Sequence, residues 1–150
     1  MARRDALAGL SAPDRERLAA VAVDMGYGRS RPLSDLIQGW ADHVDRLVSE
    51  RDLDPDDRSR WTADDFVAAL HLRGFVKEGE RGLPDDLTSA VRQAIGPVDA
   101  AFTEFTAPDS DGLLQRWVPA EDFGEGWWWD RVPALGPVLH DLLELRGRLP

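Results

Sequence analysis

PLSDLIQGWADHVDRLVSER, residues 32–51, is the stretch whose reading decides the fold. Leu33, Leu36, Ile37, Trp40, Val44, Leu47 and Val48 recur at spacings of three and four, which forms one continuous stripe on a helix of 3.6 residues per turn. Asp42, Asp45 and Arg46 fall on the opposite face. Pro32 suits the first turn, where its missing N–H is not needed. A stripe of this length predicts a helix packed into an α-helical core.

On the N-terminal side, Leu18, Val21, Ala22 and Met25 repeat the same spacing and predict a helix over 13–25. Ser11 and Asp14 are placed as a capping box, and Gly26 and Gly28 end the helix. On the C-terminal side, the loop DLDPDDRSR (52–60) holds one apolar residue, Leu53. Thr62 with Asp65 then caps a third helix, and Trp61 with Phe66 occupies the positions of a hydrophobic staple. Phe66, Val67 and Leu70 share one face while Leu72, Phe75 and Val76 fall on the other. This predicts a central helix buried on both sides and not a break at Gly74. Leu87, Val91, Ile95, Val98, Phe102 and Phe105 keep helical phase across Gly96-Pro97, so one kinked helix is predicted from Pro84 to about Thr106.

Periodicity fails from Ala107 to Val132. Leu113–Val118 and Trp127–Val132 are expected to pair as a short hairpin around 119–126, or to form an irregular Trp-rich insert. A last helix starts at Pro137. The predicted fold class is all-α: about five helices in an irregular bundle, with the hairpin or irregular insert at 113–132, in a single domain spanning 1–150.

The chain has 150 residues, a formal charge of −10 and no cysteine. Disulfides and cysteine-based metal sites are thereby excluded, and a reducing compartment fits. Met1-Ala-Arg-Arg-Asp has no apolar run behind it, and no stretch is long and apolar enough for a membrane helix, so a cytoplasmic location is expected. Lys77 is the only lysine, a bias that a high-GC genome explains. The acidic balance repels phosphate backbones and attracts basic partners. Residues 1–31 run against it, with six arginines to four acids.

Motifs that carry chemistry are few. The pairs Asp64-Asp65 and Asp85-Asp86 sit at helix starts, where acids favour the helix dipole. Asp109-Ser-Asp111-Gly112 resembles the middle of a calcium loop but lacks its first ligand and closing glutamate, so it reads as a turn. His140 and Glu144 share a helical face, yet only His43 and His71 remain to complete a zinc site. There is no Ser in a G-x-S-x-G setting, and Gly26-Tyr-Gly28-Arg-Ser30 is too short for a phosphate loop. No catalytic residue, metal or cofactor is expected, and the chain is not read as an enzyme.

Trp127-Trp128-Trp129 is the most unusual feature. Three consecutive residues of a helix spread over about 200°, so one buried face cannot hold them all. On a strand, Trp127 and Trp129 point away from Trp128. At least one indole is therefore expected near the surface. The rings either cover an irregular core or anchor an interface, and Glu121, Asp122, Glu125 and Asp130 surround them with carboxylates.

Two resemblances carry further expectations. Arg15 to Ala41, with Gly28-Arg29-Ser30-Arg31 and Pro32-Leu33-Ser34-Asp35-Leu36-Ile37, resembles a ribbon-helix-helix DNA-binding unit. That family reads DNA with a strand ahead of its first helix, and Arg4–Ala12 lacks strand alternation. Second, Arg31-Pro32-Leu33…Trp40…Val44, Thr62-Ala-Asp64-Asp65-Phe66…Leu70…Arg73, Val98-Asp99…Phe102…Thr106 and Gly126-Trp127-Trp128-Trp129…Arg131-Val132-Pro133 resemble small acidic proteins of high-GC actinobacteria. This second resemblance implies a bacterial cytoplasm and the same order of elements, but no activity.

The functional expectation is a protein-binding module, immunity- or antitoxin-like, that neutralises a basic partner such as a toxin. Its partner-binding residues are Trp127, Trp128, Trp129, Glu121, Asp122, Glu125 and Asp130. The alternative is a DNA-binding regulator or antitoxin using the N-terminal segment. No membrane partner is expected, and nucleic acid is the less favoured partner.

Overall fold

A computed structural model describes residues 3–146. The chain is mostly helical, with six α-helices and two small antiparallel two-stranded sheets among the described residues. The order is α1 (Ala12–Ala19), β1 (Ala22–Gly26), β2 (Arg29–Pro32), α2 (Leu33–Ser49), α3 (Ala63–Glu80), α4 (Asp85–Phe105), β3 (Thr106–Pro108), α5 (Leu113–Trp117), β4 (Arg131–Pro133) and α6 (Pro137–Arg146). Single 3-10 turns cover Ala120–Asp122 and Trp127–Asp130. No helix of the described residues is long and apolar enough to cross a membrane.

α2 forms as its stripe predicts. Leu33, Leu36, Ile37, Trp40, Val44 and Leu47 are buried, and the helix packs against α1, α3 and α4. α3 is capped by a complete Thr62/Asp65 box and runs unbroken through Gly74. It is buried on both sides because it is covered by α2, α6, β1 and the 127–130 turn. α4 is continuous through Pro97, whose ring lies at the exposed surface. Bidentate contacts from Arg60 to Asp141 (2.8 and 2.9 Å) fasten α6 beside the start of α3, and Asp141 also accepts from the Ala63 N–H at 3.1 Å.

Three expectations are corrected. The fold is not purely α-helical. The first helix stops at Ala19 instead of reaching Met25, because Val21, Val23 and Met25 use a period of two. Val23 is buried and Val21 and Met25 half-buried on one face, with Ala22 and Asp24 exposed on the other. The spacing of Leu18, Val21, Ala22 and Met25 mimicked a helix by mixing the two periods. The turn that follows holds Gly26, Tyr27 and Gly28 at φ of 84°, 55° and 73°, a left-handed run that its two glycines favour. Finally, the hairpin expected between 113–118 and 127–132 does not form. Asp109 accepts from the N–H groups of Leu113 (2.8 Å) and Leu114 (3.0 Å) and starts α5 there. The strand pairing lies outside it, joining Thr106–Pro108 to Arg131–Pro133.

The order over residues 12–49 is thus helix, hairpin, helix, and residues 3–11 hold no strand. A ribbon-helix-helix unit needs its strand ahead of the first helix, so the segment does not have that arrangement.

Candidate functional site

The tryptophan run sits on a 3-10 turn, and the turn divides it. Trp128 and Trp129 are buried, whereas Trp127 is 44% exposed. The glycines beside the run set this geometry. A Cβ at Gly126 would stand 2.5 Å from the Trp128 ring, and one at Gly124 would collide with the Trp129 indole. Only bare backbone can cross the two rings so closely.

Each indole has a distinct setting. Trp127 rests against Phe102 of α4 (5.9 Å between centroids) and edge-on to Trp128 (5.6 Å). Trp129 packs between Phe123 (5.0 Å) and His71 (4.8 Å). Trp128 lies under the Arg73 guanidinium, 4.5 Å from its ring. Arg73 is itself buried and holds Asp99 bidentately, Nε at 3.0 Å and Nη2 at 2.9 Å. Asp99 also accepts from Trp40 Nε1–H at 2.9 Å. One charge-paired network therefore joins α2, α3, α4 and the tryptophan turn. Two donors in it, Arg73 Nη1 and Trp128 Nε1, are buried without an acceptor.

The seven residues singled out from sequence separate accordingly. Glu121, Asp122, Glu125, Asp130 and Trp127 are exposed, all within one ten-residue segment. Trp128 and Trp129 belong to the core and are not surface residues. Asp122 lies near enough to His71 to act on its charge, yet burial dominates and holds the His71 imidazole below the ordinary histidine value. The Arg73–Asp99 pair went unnoticed in the sequence. Its signal was there: Arg73 follows Phe66 and Leu70 on an apolar face, and Asp99 sits between Val98 and Phe102.

Beside the run, a cleft of about 280 Å³ separates the C-terminal half of α3 from the 124–129 segment. Lys77, Arg81 and Trp129 are among the side chains lining it. The aspartate pairs are structural. Asp65 completes the α3 cap, Asp64 accepts from Trp117 Nε1–H at 2.9 Å, and Asp86 meets Arg17 at 2.6 Å. His140 pairs with Glu144 at 3.1 Å, and no group of three or more His, Asp or Glu side chains suited to a metal ion occurs among the described residues.

No protein-family model matches the chain, and no curated protein or solved structure matches it. Function must be argued from the site.

Proposed function

We propose that the chain is a protein-binding module, immunity- or antitoxin-like and not an enzyme, whose surface anchor is Trp127, with the exposed Glu121, Asp122, Glu125 and Asp130 in the same ten-residue segment. The observation that carries this reading is the exposure of Trp127. Every other tryptophan is buried or half-buried. An exposed indole backed by a rigid aromatic stack is the kind of residue that supplies most of an interface's binding energy. The carboxylates of that segment would steer a basic partner and set its orientation. With a net charge of −10, association is expected to be fast at low salt and slower as salt rises.

The product of the neighbouring gene, purified, is the partner to try first. Trp127→Ala is expected to weaken its binding by about 1–2 kcal/mol without lowering the melting midpoint appreciably. Equal affinity of the variant and the wild-type chain would overturn the assignment of the anchor.

One observation favours the DNA-binding alternative. Arg29 and Arg31 are exposed on β2 without an ion pair among the described residues, beside a fully exposed Tyr27 at the hairpin tip. The other four arginines of residues 1–31 are already held by Asp42, Asp45, Asp5 and Asp86. Two free arginines neutralise too few phosphates to overcome the acidic remainder. Duplex DNA is therefore expected to bind no tighter than micromolar at physiological salt. Submicromolar, salt-sensitive binding to a defined sequence would promote the regulator reading.

A further inference from the structure

Residues 3–11 form an irregular strap that side chains, not backbone pairing, fasten to the helices. Gln38 of α2 spans the strap with its amide. Its Oε1 accepts from the Ala6 N–H at 3.0 Å and its Nε2 donates to the Arg4 carbonyl at 2.6 Å, as the peptide group of a neighbouring strand would. Further along α2, Asp42 takes Arg3 at 2.6 Å and Asp45 takes Arg4 at 2.7 Å. From α4, Gln93 donates to the Gly9 carbonyl at 3.2 Å. Leu7 is buried and Leu10 half-buried against the core.

The strap does not fill the space it crosses. Three separate cavities, of about 530, 370 and 370 Å³, border this one segment. They reach from Asp45 and Val48 of α2 to Ala94 and Pro97 of α4. Close packing leaves few such voids, so the strap is a loose occupant of a wider channel. Its ionic fastening is also weak. The Arg3 side chain is 68% exposed, and exposed pairs contribute little and are screened by salt. The other cations on the channel are Arg46, held by Glu50 at 2.6 Å, Arg51, which meets Asp52 at 3.8 Å, and Arg15, which meets Asp5 of the strap at 3.3 Å. Lifting the strap therefore releases Asp42 and Asp45 beside Asp35 and frees only Arg15 against them.

We propose that this channel is a docking site for a basic, extended segment of another protein, and that residues 3–10 close it in the free chain by standing in for that segment. The stand-in defines the chemistry of the partner: two adjacent cations for Asp42 and Asp45, a backbone read by Gln38, and a leucine three positions after the second cation. The strap is tethered, at an effective concentration on the order of millimolar, so a partner segment enters by outcompeting it. No residue of 121–130 takes part. The proposal does not rest on the Trp127 assignment, and the two can fail separately.

The test uses a fluorescent peptide of the strap's own sequence, RRDALAGL, added to the full chain and to its Arg3→Glu/Arg4→Glu variant. In the variant, like charges face Asp42 and Asp45 and the strap is released. Saturable peptide binding to the variant is expected, at least about tenfold tighter than to the wild-type chain, because a tethered competitor has been removed. A peptide carrying both substitutions should not bind, and adding Gln38→Ala to the variant should weaken the original peptide. Hydrogen exchange of the wild-type chain gives a second reading. The Ala6 N–H should exchange faster as salt rises, while the buried turns of α2 keep their rates. Equal binding to both chains, no saturation with the variant, or an Ala6 N–H indifferent to salt would each overturn the proposal.

Discussion

At the scale of single residues, the contrast between Trp127 and Trp128 is the sharpest feature. Trp128 is 1% exposed and lies against both Arg73 and the Gly126 backbone. Trp128→Ala would leave a cavity and uncover the buried guanidinium. It is expected to cost about 3–5 kcal/mol, as much as Trp40→Ala, whereas Trp127→Ala should cost under about 1 kcal/mol. Chemical denaturation of the three variants checks the order; a Trp127 variant as unstable as the Trp128 variant would place both rings in the core. His43 gives a pH-dependent counterpart. Burial, opposed by Asp42 and Asp65, holds its imidazole below the ordinary value of 6.5, and its Nδ1 is buried without a partner. The unfolded chain therefore takes up a proton at higher pH than the folded one. The stability this contributes is complete above the unfolded value and is lost as pH falls through it toward the depressed folded value. Urea unfolding between about pH 7.5 and 5, a range that brackets the ordinary histidine value, should show stability falling with acid, with a shallower fall in His43→Gln. An identical pH profile in the variant would show that His43 does not contribute.

At the scale of elements, what was legible in the sequence followed from redundancy. α2 announced itself because seven apolar residues agree on one face, and α3 because its cap and two apolar faces agree on a central position. α4 was legible across Gly96-Pro97 because the buried Leu87, Val91, Ile95, Val98 and Phe102 keep phase through it. Gly96 is exposed within α4, and a Cβ there would meet nothing. Gly96→Ala should therefore stabilise the chain by about 0.5–1 kcal/mol. A lowered melting midpoint would mean that the glycine serves the passage of Pro97. The short elements were not legible, because four or five residues fit two periods at once. Val21–Met25 satisfied both a helical and an alternating pattern, and only the Gly-Tyr-Gly turn tips it to a hairpin. Pairing β3 with β4 spans more than twenty residues, and no local pattern encodes it. The site was half legible for the same reason. Adjacency required one of the three indoles to be exposed, but which one depends on Gly124 and Gly126 crossing the other two.

At the scale of the whole molecule, the Arg73–Asp99 network ties the helical core to the tryptophan turn. Trp40 of α2, Arg73 of α3 and Asp99 of α4 meet in it, and Trp128 lies beneath the guanidinium. The turn is thereby fixed to the three longest helices, and Trp127 is presented from a rigid base. The turn divides the run, with two rings held inside and one at the surface. The most direct measurement is the attenuation of the tryptophan indole N–H signals by a soluble paramagnetic chelate. The account expects the Trp127 signal to be broadened strongly, with those of Trp40 and Trp128 nearly untouched. Attenuation of Trp128 equal to that of Trp127, or protection of Trp127, would contradict it.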